Sequence, residues 1–162
     1  MTQLEVIKSK ILSPDKLITQ LKVWEFKEQK VVFTNGCFDV LHHGHMVYLS
    51  NAKDLGNKLI IGLNTDSSVK RLKGNDRPIN MESSRAIMLA AFQFVDAVVL
   101  FDEDTPYELI KKVKPDILVK GGDYKKEDIV GADIVEQAGG EVITIEFVKG
   151  FSSTAILNRL KE

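Results

Sequence analysis

Short apolar runs rich in β-branched residues recur along this chain, and helical patterns separate them. The runs are Lys30–Thr34, Lys58–Leu63, Ala97–Phe101, Ile117–Val119 and Glu141–Ile145. Continuous apolar runs of this length are typical of strands that are buried on both faces of a parallel sheet. Because helical patterns lie between the runs, we predict a doubly wound, mostly parallel α/β sheet of Rossmann-like type. Such a sheet binds ligands at the carboxyl ends of its strands.

The helical patterns define one domain with an extension before it. Apolar residues recur at helical spacing in Met46–Leu55, Ser84–Phe94, Thr105–Val113, Ser153–Leu160 and, before the first strand, Leu4–Trp24. This first pattern breaks at Ser13, which is suited to cap a helix that begins with Pro14. Since there is no internal repeat or linker, we predict a helical extension over residues 1–28 and a single domain over residues 29–162.

The overall composition favours an ordinary globular chain. The 162 residues are 44% hydrophobic and 28% charged, and the formal net charge is −1. Because the basic residues are scattered, the charge argues against a nucleic-acid partner. One cysteine cannot form an intrachain disulfide, and the N-terminus lacks the pattern of a signal peptide. No run reaches the roughly 20 apolar residues of a membrane span. We therefore expect a cytoplasmic chain with no membrane partner.

A histidine-rich turn follows the first predicted strand, where the segment Thr34–His45 begins. All three histidines of the chain fall within four consecutive positions there. His42 and His45 are three residues apart, so they face the same side of a helix start. Two such rings can donate hydrogen bonds to an α-phosphate as charge builds on it. Gly36 and Gly44 lack a Cβ atom and let a triphosphate approach the backbone.

Two simpler explanations of the turn are a capping role and a structural zinc site. A single histidine at a helix start is usually a cap or a surface residue. A zinc site usually needs spaced partners, and the only cysteine, Cys37, lies within the same stretch. Because the whole string lies at the sheet's ligand-binding edge, the catalytic interpretation is favoured.

The spacing Gly36-x-Phe38-Asp39-x-x-His42-x-Gly44-His45 resembles the signature of the nucleotidyltransferase superfamily that carries a His-x-Gly-His motif. Within that superfamily, the chain is most similar to the D-glycero-β-D-manno-heptose 1-phosphate adenylyltransferases. The motifs that carry this similarity are Thr34–Asp39, Arg71–Gly74, Arg77–Ile79 and Lys120–Tyr124. The resemblance extends from about Lys30 to the C-terminus.

The resemblance and the positions of the strand ends together give a set of candidate site residues. The predicted catalytic residues are His42, His45 and Lys73, and the similarity makes Lys73 a lysine that contacts phosphate. The predicted nucleotide-binding residues are Thr34, Asn35, Gly36, Cys37, Phe38, Gly44, Gly121, Asp123, Ser152 and Thr154. The predicted substrate-binding residues are Asp39, Asn64, Asp66, Arg77 and Arg85. For Arg85, the similarity implies a place facing the phosphates, and the simpler alternative is an ion pair with Glu82.

The residue that contacts the base stays unassigned, and the two places considered for it are Tyr124 and the segment before the last helix. Tyr124 either stacks on the base or packs inside the protein. In the cytidylyltransferases the segment before the last helix resembles Arg-Thr-x-Gly-Ile-Ser-Thr-Thr. Here the arginine and the first threonine are absent, Lys149 is the nearest cation, and Phe151–Thr154 replace the remainder. This departure weakens a cytidylyltransferase assignment.

The resemblance implies an enzyme that transfers AMP from ATP to the heptose 1-phosphate, giving ADP-heptose for the lipopolysaccharide core and pyrophosphate. The expected Mg²⁺ is held mainly by the phosphates, with Asp39 as the one protein group considered for it. The resemblance also implies a homodimer and a separate sugar kinase that supplies the substrate. A CTP-dependent enzyme acting on glycerol 3-phosphate is the first alternative. A non-catalytic nucleotide sensor is the second, but it predicts loss of a histidine or of the lysine run, and neither is lost.

Overall fold

The strands of the protein form one parallel sheet. In a computed structural model, which describes residues 1–122 and 124–160, the sheet has five strands in the order β3-β2-β1-β4-β5. They are β1 (Val31–Gly36), β2 (Lys58–Asn64), β3 (Ala97–Phe101), β4 (Ile117–Gly121) and β5 (Glu141–Ile145). The strand order reverses at β1, so the switch point of the sheet lies between β1 and β4. The predicted fold class is confirmed.

Helices cover both faces of the sheet. They are α1 (Gln3–Ser9), α2 (Pro14–Phe26), α3 (His43–Lys53), α4 (Asp66–Lys73), α5 (Glu82–Ala91), α6 (Tyr107–Val113), α7 (Ala132–Gln137) and α8 (Ser153–Arg159), with a 3₁₀ turn at Lys126–Asp128. Ser13 caps α2 as predicted, with its hydroxyl accepting a hydrogen bond from the Lys16 amide. The predicted cap at Thr105-Pro106 falls on Pro106, so α6 begins at Tyr107. The sequence patterns did not predict α4 or α7.

The side chains of β1 alternate between two cores. Phe33 packs in the core that contains Leu17 and Trp24 of α2. Val32 faces the opposite core, which contains Leu49 of α3. Fully burying a large apolar side chain stabilises the fold by about 1.5–3 kcal/mol. This two-sided burial explains why the strand sequences are continuously apolar.

The N-terminal extension is joined to the sheet by backbone hydrogen bonds. The amide of Val98 donates to the carbonyl of Lys10, and the amide of Leu12 donates to the carbonyl of Val98, both at 2.9 Å. Ile11 thus forms a parallel bridge with the outer edge of β3. The segment is helical as predicted, whereas the boundary at residue 28 stays a prediction. Among the described residues, no helix has both the length and the apolar character needed to cross a bilayer.

Candidate active site

The histidine turn links the carboxyl end of β1 to the start of α3. His42 occupies the N-cap of α3 in an extended conformation, with φ −144° and ψ 171°. Its side chain makes no capping hydrogen bond, so no side chain satisfies the first amides of α3. The imidazole of His42 is therefore available for another contact, and the helix dipole favours an anion beside it.

The rings of His42 and His45 stack on each other. Their centroids are 3.8 Å apart and their planes differ by 20°. Phe38 supports the pair edge-on, with its centroid 5.3 Å from that of His45. The Nδ1 atoms of both histidines are buried and have no hydrogen-bond partner among the described residues. Buried polar atoms usually have a partner, so this pair is unusual.

Both imidazoles are neutral near pH 7. Burial, together with the neighbouring His42 and Lys73, lowers the pKa of His45 to about 4. Burial also lowers the pKa of His42 from its usual value. A neutral imidazole keeps one N–H donor and carries no charge to repel its neighbour. The stacked pair can therefore present two donors to the same anionic group.

Two adjoining cavities open beside the histidine pair. One of about 320 Å³, the β4 cavity, lies along the ends of β1 and β4, and one of about 250 Å³, the α8 cavity, lies against the start of α8. Both cavities are bordered by His45, Lys73, Phe147 and Ser153. The β4 cavity is also lined by Asn35, Gly36, Cys37, Phe38, Asp39, Tyr48, Lys120, Gly121 and Tyr124. The α8 cavity is also lined by His42, Gly44, Val148, Phe151, Ser152 and Thr154.

Hydroxyl groups and an aromatic ring form the outer wall of the α8 cavity. The hydroxyl of Ser152 accepts a hydrogen bond from the Ala155 amide at 3.0 Å and so caps α8. The hydroxyl of Ser153 donates to the carbonyl of Val40 at 3.0 Å, which ties α8 to the histidine turn. The ring of Phe151 lies 5.1 Å from that of His43. The structure thus brings the predicted Ser152 to the histidine pair.

The β4 cavity contains a lysine that the sequence analysis did not assign. The Nζ atom of Lys120 donates to Oδ1 of Asn35 at 2.9 Å. Burial lowers the pKa of Lys120, and no carboxylate among the described residues forms an ion pair with it. Buried charges are normally paired, so this ammonium group favours an anionic ligand. The sequence feature that could have identified Lys120 as a site residue is its position at the end of a predicted strand.

Lys73 reaches both cavities from the end of a helix. It is the last residue of α4, and Gly74 follows it with φ 102°. The lysine is exposed at the mouth of both cavities. Its charge contributes to the lowered pKa of His45. It is therefore placed to neutralise an anion beside the histidines.

Two predicted nucleotide-binding residues near β1 are held inside the protein. Thr34 is fully buried, and its hydroxyl bonds to that of Tyr48 at 2.7 Å. Thr34 lines neither cavity, so its geometry favours support of the strand end over contact with a ligand. Cys37 lines the β4 cavity, and burial raises the pKa of its thiol. The thiol is therefore neutral near pH 7.

Asp39 is saturated by donors from its own chain. Its side chain is 1% exposed, and its Oδ2 atom accepts from Nε of Arg77 at 2.6 Å. The amides of Ile79 and Asn80 donate to its carboxylate at 2.8 and 2.9 Å. Burial alone would raise the pKa of Asp39, but these donors lower it. Asp39 thus holds the loop after α4, and its oxygens are not free for Mg²⁺ or a sugar hydroxyl.

Arg85 is also engaged within the chain. It is 0% exposed, and its ion-pair partner is Asp66, at 2.8 Å, where the sequence alternative named Glu82. Its other donors go to backbone carbonyls of Cys37, Asn64 and Asn80. We call the five residues predicted to bind substrate the carboxylate–arginine network: Asp39, Asn64, Asp66, Arg77 and Arg85. Its contacts correct the expectation that Arg85 faces the phosphates, because no part of this side chain reaches the surface.

The remaining members of the network join β2 to α4, and α4 to α5. The side-chain amide of Asn64 donates to the hydroxyl of Ser68 at 3.0 Å. The amide of Asp66 donates to Glu82, and the amide of Glu82 donates to Asp66. These contacts favour a positioning role for residues that were predicted to bind substrate. Arg77 differs in one respect, since its Nη2 atom is buried without a partner among the described residues.

Comparison with known proteins now identifies the family. The sequence matches the cytidylyltransferase-like family over residues 33–159. The chain belongs to this family. It is therefore a nucleotidyltransferase, as the sequence motifs predicted. Twelve predicted residues border the two cavities around the histidine pair: Asn35, Gly36, Cys37, Phe38, Asp39, His42, Gly44, His45, Lys73, Gly121, Ser152 and Thr154. The predicted Asp123 lies outside the described residues.

Several relatives resemble this cytidylyltransferase-like chain closely. Bifunctional protein HldE of Campylobacter jejuni subsp. doylei is 58% identical over 153 residues, which are 94% of this chain and 32% of that protein. Bifunctional protein HldE of Nitratiruptor sp. is 61% identical over 133 residues, covering 82% of this chain and 28% of that protein. The chain thus spans about a third of the length of these relatives.

Solved structures support the same fold. The lipopolysaccharide core biosynthesis protein from Thermoplasma volcanium is 30% identical, with a TM-score of 0.60, and the match covers 76% of this chain and 99% of that one. The pantoate-beta-alanine ligase from Francisella tularensis is 15% identical, with a TM-score of 0.59, and the match covers 93% of this chain and 76% of that one. The second likeness concerns the fold alone.

Proposed function

We propose that this nucleotidyltransferase transfers AMP from ATP to D-glycero-β-D-manno-heptose 1-phosphate in the cytoplasm. The products are ADP-heptose, a precursor of the lipopolysaccharide core, and pyrophosphate. The observation that carries the proposal is the stacked pair of neutral histidines at the uncapped start of α3. The heptose is supported by the sequence motifs and by the likeness to a lipopolysaccharide core biosynthesis protein.

The reaction is an in-line displacement at the α-phosphorus. A phosphate oxygen of the acceptor, already ionised at neutral pH, forms the new bond to phosphorus. The bond from that phosphorus to the bridging oxygen breaks, and its electron pair leaves with pyrophosphate. Because the nucleophile is already an anion, no general base is needed. Catalysis comes from positioning and from stabilisation of charge.

The histidine pair and the nearby lysine stabilise that charge. The rings of His42 and His45 donate hydrogen bonds to oxygens of the α-phosphate. Lys73 neutralises the leaving pyrophosphate. Ser152 and Thr154 hold the β- and γ-phosphates in the α8 cavity, which they line together with His42. Single donors aimed at a developing oxyanion typically contribute about 10²–10³ in rate.

The acceptor phosphate enters the β4 cavity. Two lysines, Lys73 and Lys120, border that cavity, and Lys120 has no carboxylate partner among the described residues. A sugar kinase activity supplies the phosphorylated heptose. We propose that the Nη2 atom of Arg77, which has no partner among the described residues, donates a hydrogen bond to the acceptor phosphate.

The described residues do not form a cage for Mg²⁺. Within residues 1–122 and 124–160, no group of three or more His, Cys, Asp or Glu is arranged to hold a metal ion. Asp39, the carboxylate considered from the sequence, is saturated by Arg77 and two amides. We propose that the nucleotide enters with its metal carried by the phosphate oxygens, and we assign no protein carboxylate to the metal.

Pyrophosphate release from a panel of substrates tests the proposal. ATP and CTP are each combined with heptose 1-phosphate and with glycerol 3-phosphate, and the His45→Ala variant serves as the blank. We expect rapid release from ATP with heptose 1-phosphate only. Preference for CTP with glycerol 3-phosphate would identify the alternative cytidylyltransferase. Nucleotide binding without any release would identify a non-catalytic sensor.

A further inference from the structure

We propose that Phe147 is the side chain on which the nucleobase stacks. Neither the motifs nor the family resemblance assigned a role to this residue. The inference deepens the proposed function and rests on it, because it names the group that recognises the base of the same nucleotide.

Phe147 is anchored beside the glycines that end β4. Gly121 lies opposite Ile145 in the parallel register of β4 and β5. The amide of Gly122 donates to the carbonyl of Ile145 at 3.0 Å. Since Phe147 follows Ile145 by two residues, its backbone leaves the sheet next to these glycines. The ring is thus held close to the switch point, where such sheets bind nucleotides.

The ring rests on the glycine backbone. A Cβ atom added to Gly121 would lie 2.4 Å from Cε1 and Cζ of Phe147, and one added to Gly122 would lie 3.1 Å from Cε2. The ring of Tyr48 supports it from the side, with centroids 5.9 Å apart. The phenyl ring thus occupies the space that the absence of a side chain at Gly121 leaves open.

The outer part of the same ring remains open. Phe147 is 58% exposed although it lies in a cleft. A planar group can stack on the exposed face of a ring that is supported on its other side. Such stacking is favourable for any nucleobase, because every base has a flat π-face. A nucleobase can therefore stack on the exposed surface of Phe147.

Among the aromatic residues near the site, the position of Phe147 is the best suited to this role. It borders both cavities, together with His45. Tyr124 borders the β4 cavity alone, and Phe151 borders the α8 cavity alone, where it lies against the histidines. His45 borders both cavities, so a base joined through ribose to a phosphate at His45 can reach the place where they meet. Phe147 occupies that place.

Nucleotide titrations of the Phe147→Ala variant test the assignment. We expect Kd and KM for ATP to rise roughly tenfold or more, with little change in kcat, as for loss of one stacked base. Binding of tripolyphosphate, which has no base, should be unchanged. Phe147→Trp should restore ATP binding, and ATP should quench its emission, whereas Trp24, which is buried in α2, gives a constant background.

A matched control and the possible outcomes separate this inference from the proposed function. Phe26→Ala removes an 87% exposed phenylalanine from α2, away from both cavities, and should bind ATP like the wild type. Wild-type affinity for ATP in Phe147→Ala would overturn the stacking role and leave the proposed function intact. Equal weakening of ATP and tripolyphosphate would also overturn it. Failure of the wild type to bind ATP would overturn both.

Discussion

The two sides of the sheet's carboxyl edge treat their polar groups in opposite ways. Between β1 and β2, the carboxylate–arginine network satisfies nearly all of its charges within the chain. Between β1 and β4, the histidine pair has two buried nitrogens without partners among the described residues, and no carboxylate of those residues pairs with Lys120. Because an unsatisfied buried group costs free energy, a protein keeps one where a ligand completes it. The carboxylate–arginine network is therefore the scaffold side of this edge, and the histidine pair with Lys120 is the site side.

The same contrast appears in the titration of the two sides. Donors from Arg77 and two amides lower the pKa of Asp39 despite its burial, so this carboxylate is charged at pH 7. Burial lowers the pKa of His45 to about 4, so this ring is neutral. The scaffold side is thus built of matched charges, and the site side of neutral donors beside cations. Substitutions on the two sides should therefore affect different measurements.

The largest effect on stability is expected from Arg85→Ala. It removes a fully buried cation and leaves Asp66 and three carbonyls without their donor. Breaking a buried pair typically costs about 3–5 kcal/mol in the free energy of unfolding, which urea titration measures. Arg71→Ala is the control, because Arg71 pairs with Asp102 and Asp104 at the surface and its loss should change little. Equal stability of the two variants would contradict the scaffold role.

On the site side, His45→Ala should lower kcat by about 10²–10³ and leave the unfolding midpoint nearly unchanged. In the proposed mechanism the ring donates to the reacting phosphate, and it makes no hydrogen bond through Nδ1 within the described chain. Steady-state pyrophosphate release measures the effect. The exposed neighbour His43 provides the control, since His43→Ala should keep wild-type turnover. Unchanged kinetics in His45→Ala would remove the basis of the proposed mechanism.

Acidification should weaken the fold through the histidine pair. The pKa of His45 is about 4 in the folded protein and about 6.5 in the unfolded chain. Between these values the unfolded chain binds a proton that the folded protein does not. The free energy of unfolding therefore falls as pH drops from about 6.5 towards 4. Wild type should lose more thermal stability between pH 7.5 and pH 5 than His45→Gln, which lacks this group. Parallel losses in the two proteins would mean that His45 is not buried as described.

The smallest effect on stability is expected from Gly121→Ala, and Gly62→Ala is its matched control. In Gly121→Ala the new Cβ meets the exposed ring of Phe147, which can swing away, so stability should change by less than about 0.5 kcal/mol while ATP affinity falls a few-fold. In Gly62→Ala the new Cβ lies 2.8 Å from the ring of Phe33, which is fully buried. Such overpacking typically costs about 1–3 kcal/mol. Thermal unfolding and ATP titration of both variants measure the difference.

The strands and the histidine turn could be predicted from the sequence because their signals are local. Each buried strand is a continuous apolar run, and His42, Gly44 and His45 are neighbours in the chain. The helix α4 gave no such signal, since only Ser68 and Val69 of its residues are buried. Its mostly polar pattern resembles a solvated turn, so no helix was predicted there.

The environment of the charged residues could not be predicted, because it depends on contacts between distant segments. Arg85 is buried by carbonyls of Cys37, Asn64 and Asn80, which meet only in the folded chain. The sequence gives no sign of that depth, and the family resemblance suggested a different role. Phe147 likewise has no repeating pattern around it, and its contact with Gly121 arises from the pairing of β4 with β5.

The bridge between Ile11 and Val98 has a consequence for how the protein can be shortened. The family match begins at residue 33, after the bridge and after the two helices around it. A fragment trimmed to the matched residues would uncover the outer backbone of β3 and the core surface that Leu17 and Trp24 now cover. Bare strand edges recruit other chains. Such a fragment would tend to self-associate while still carrying every residue of the histidine pair.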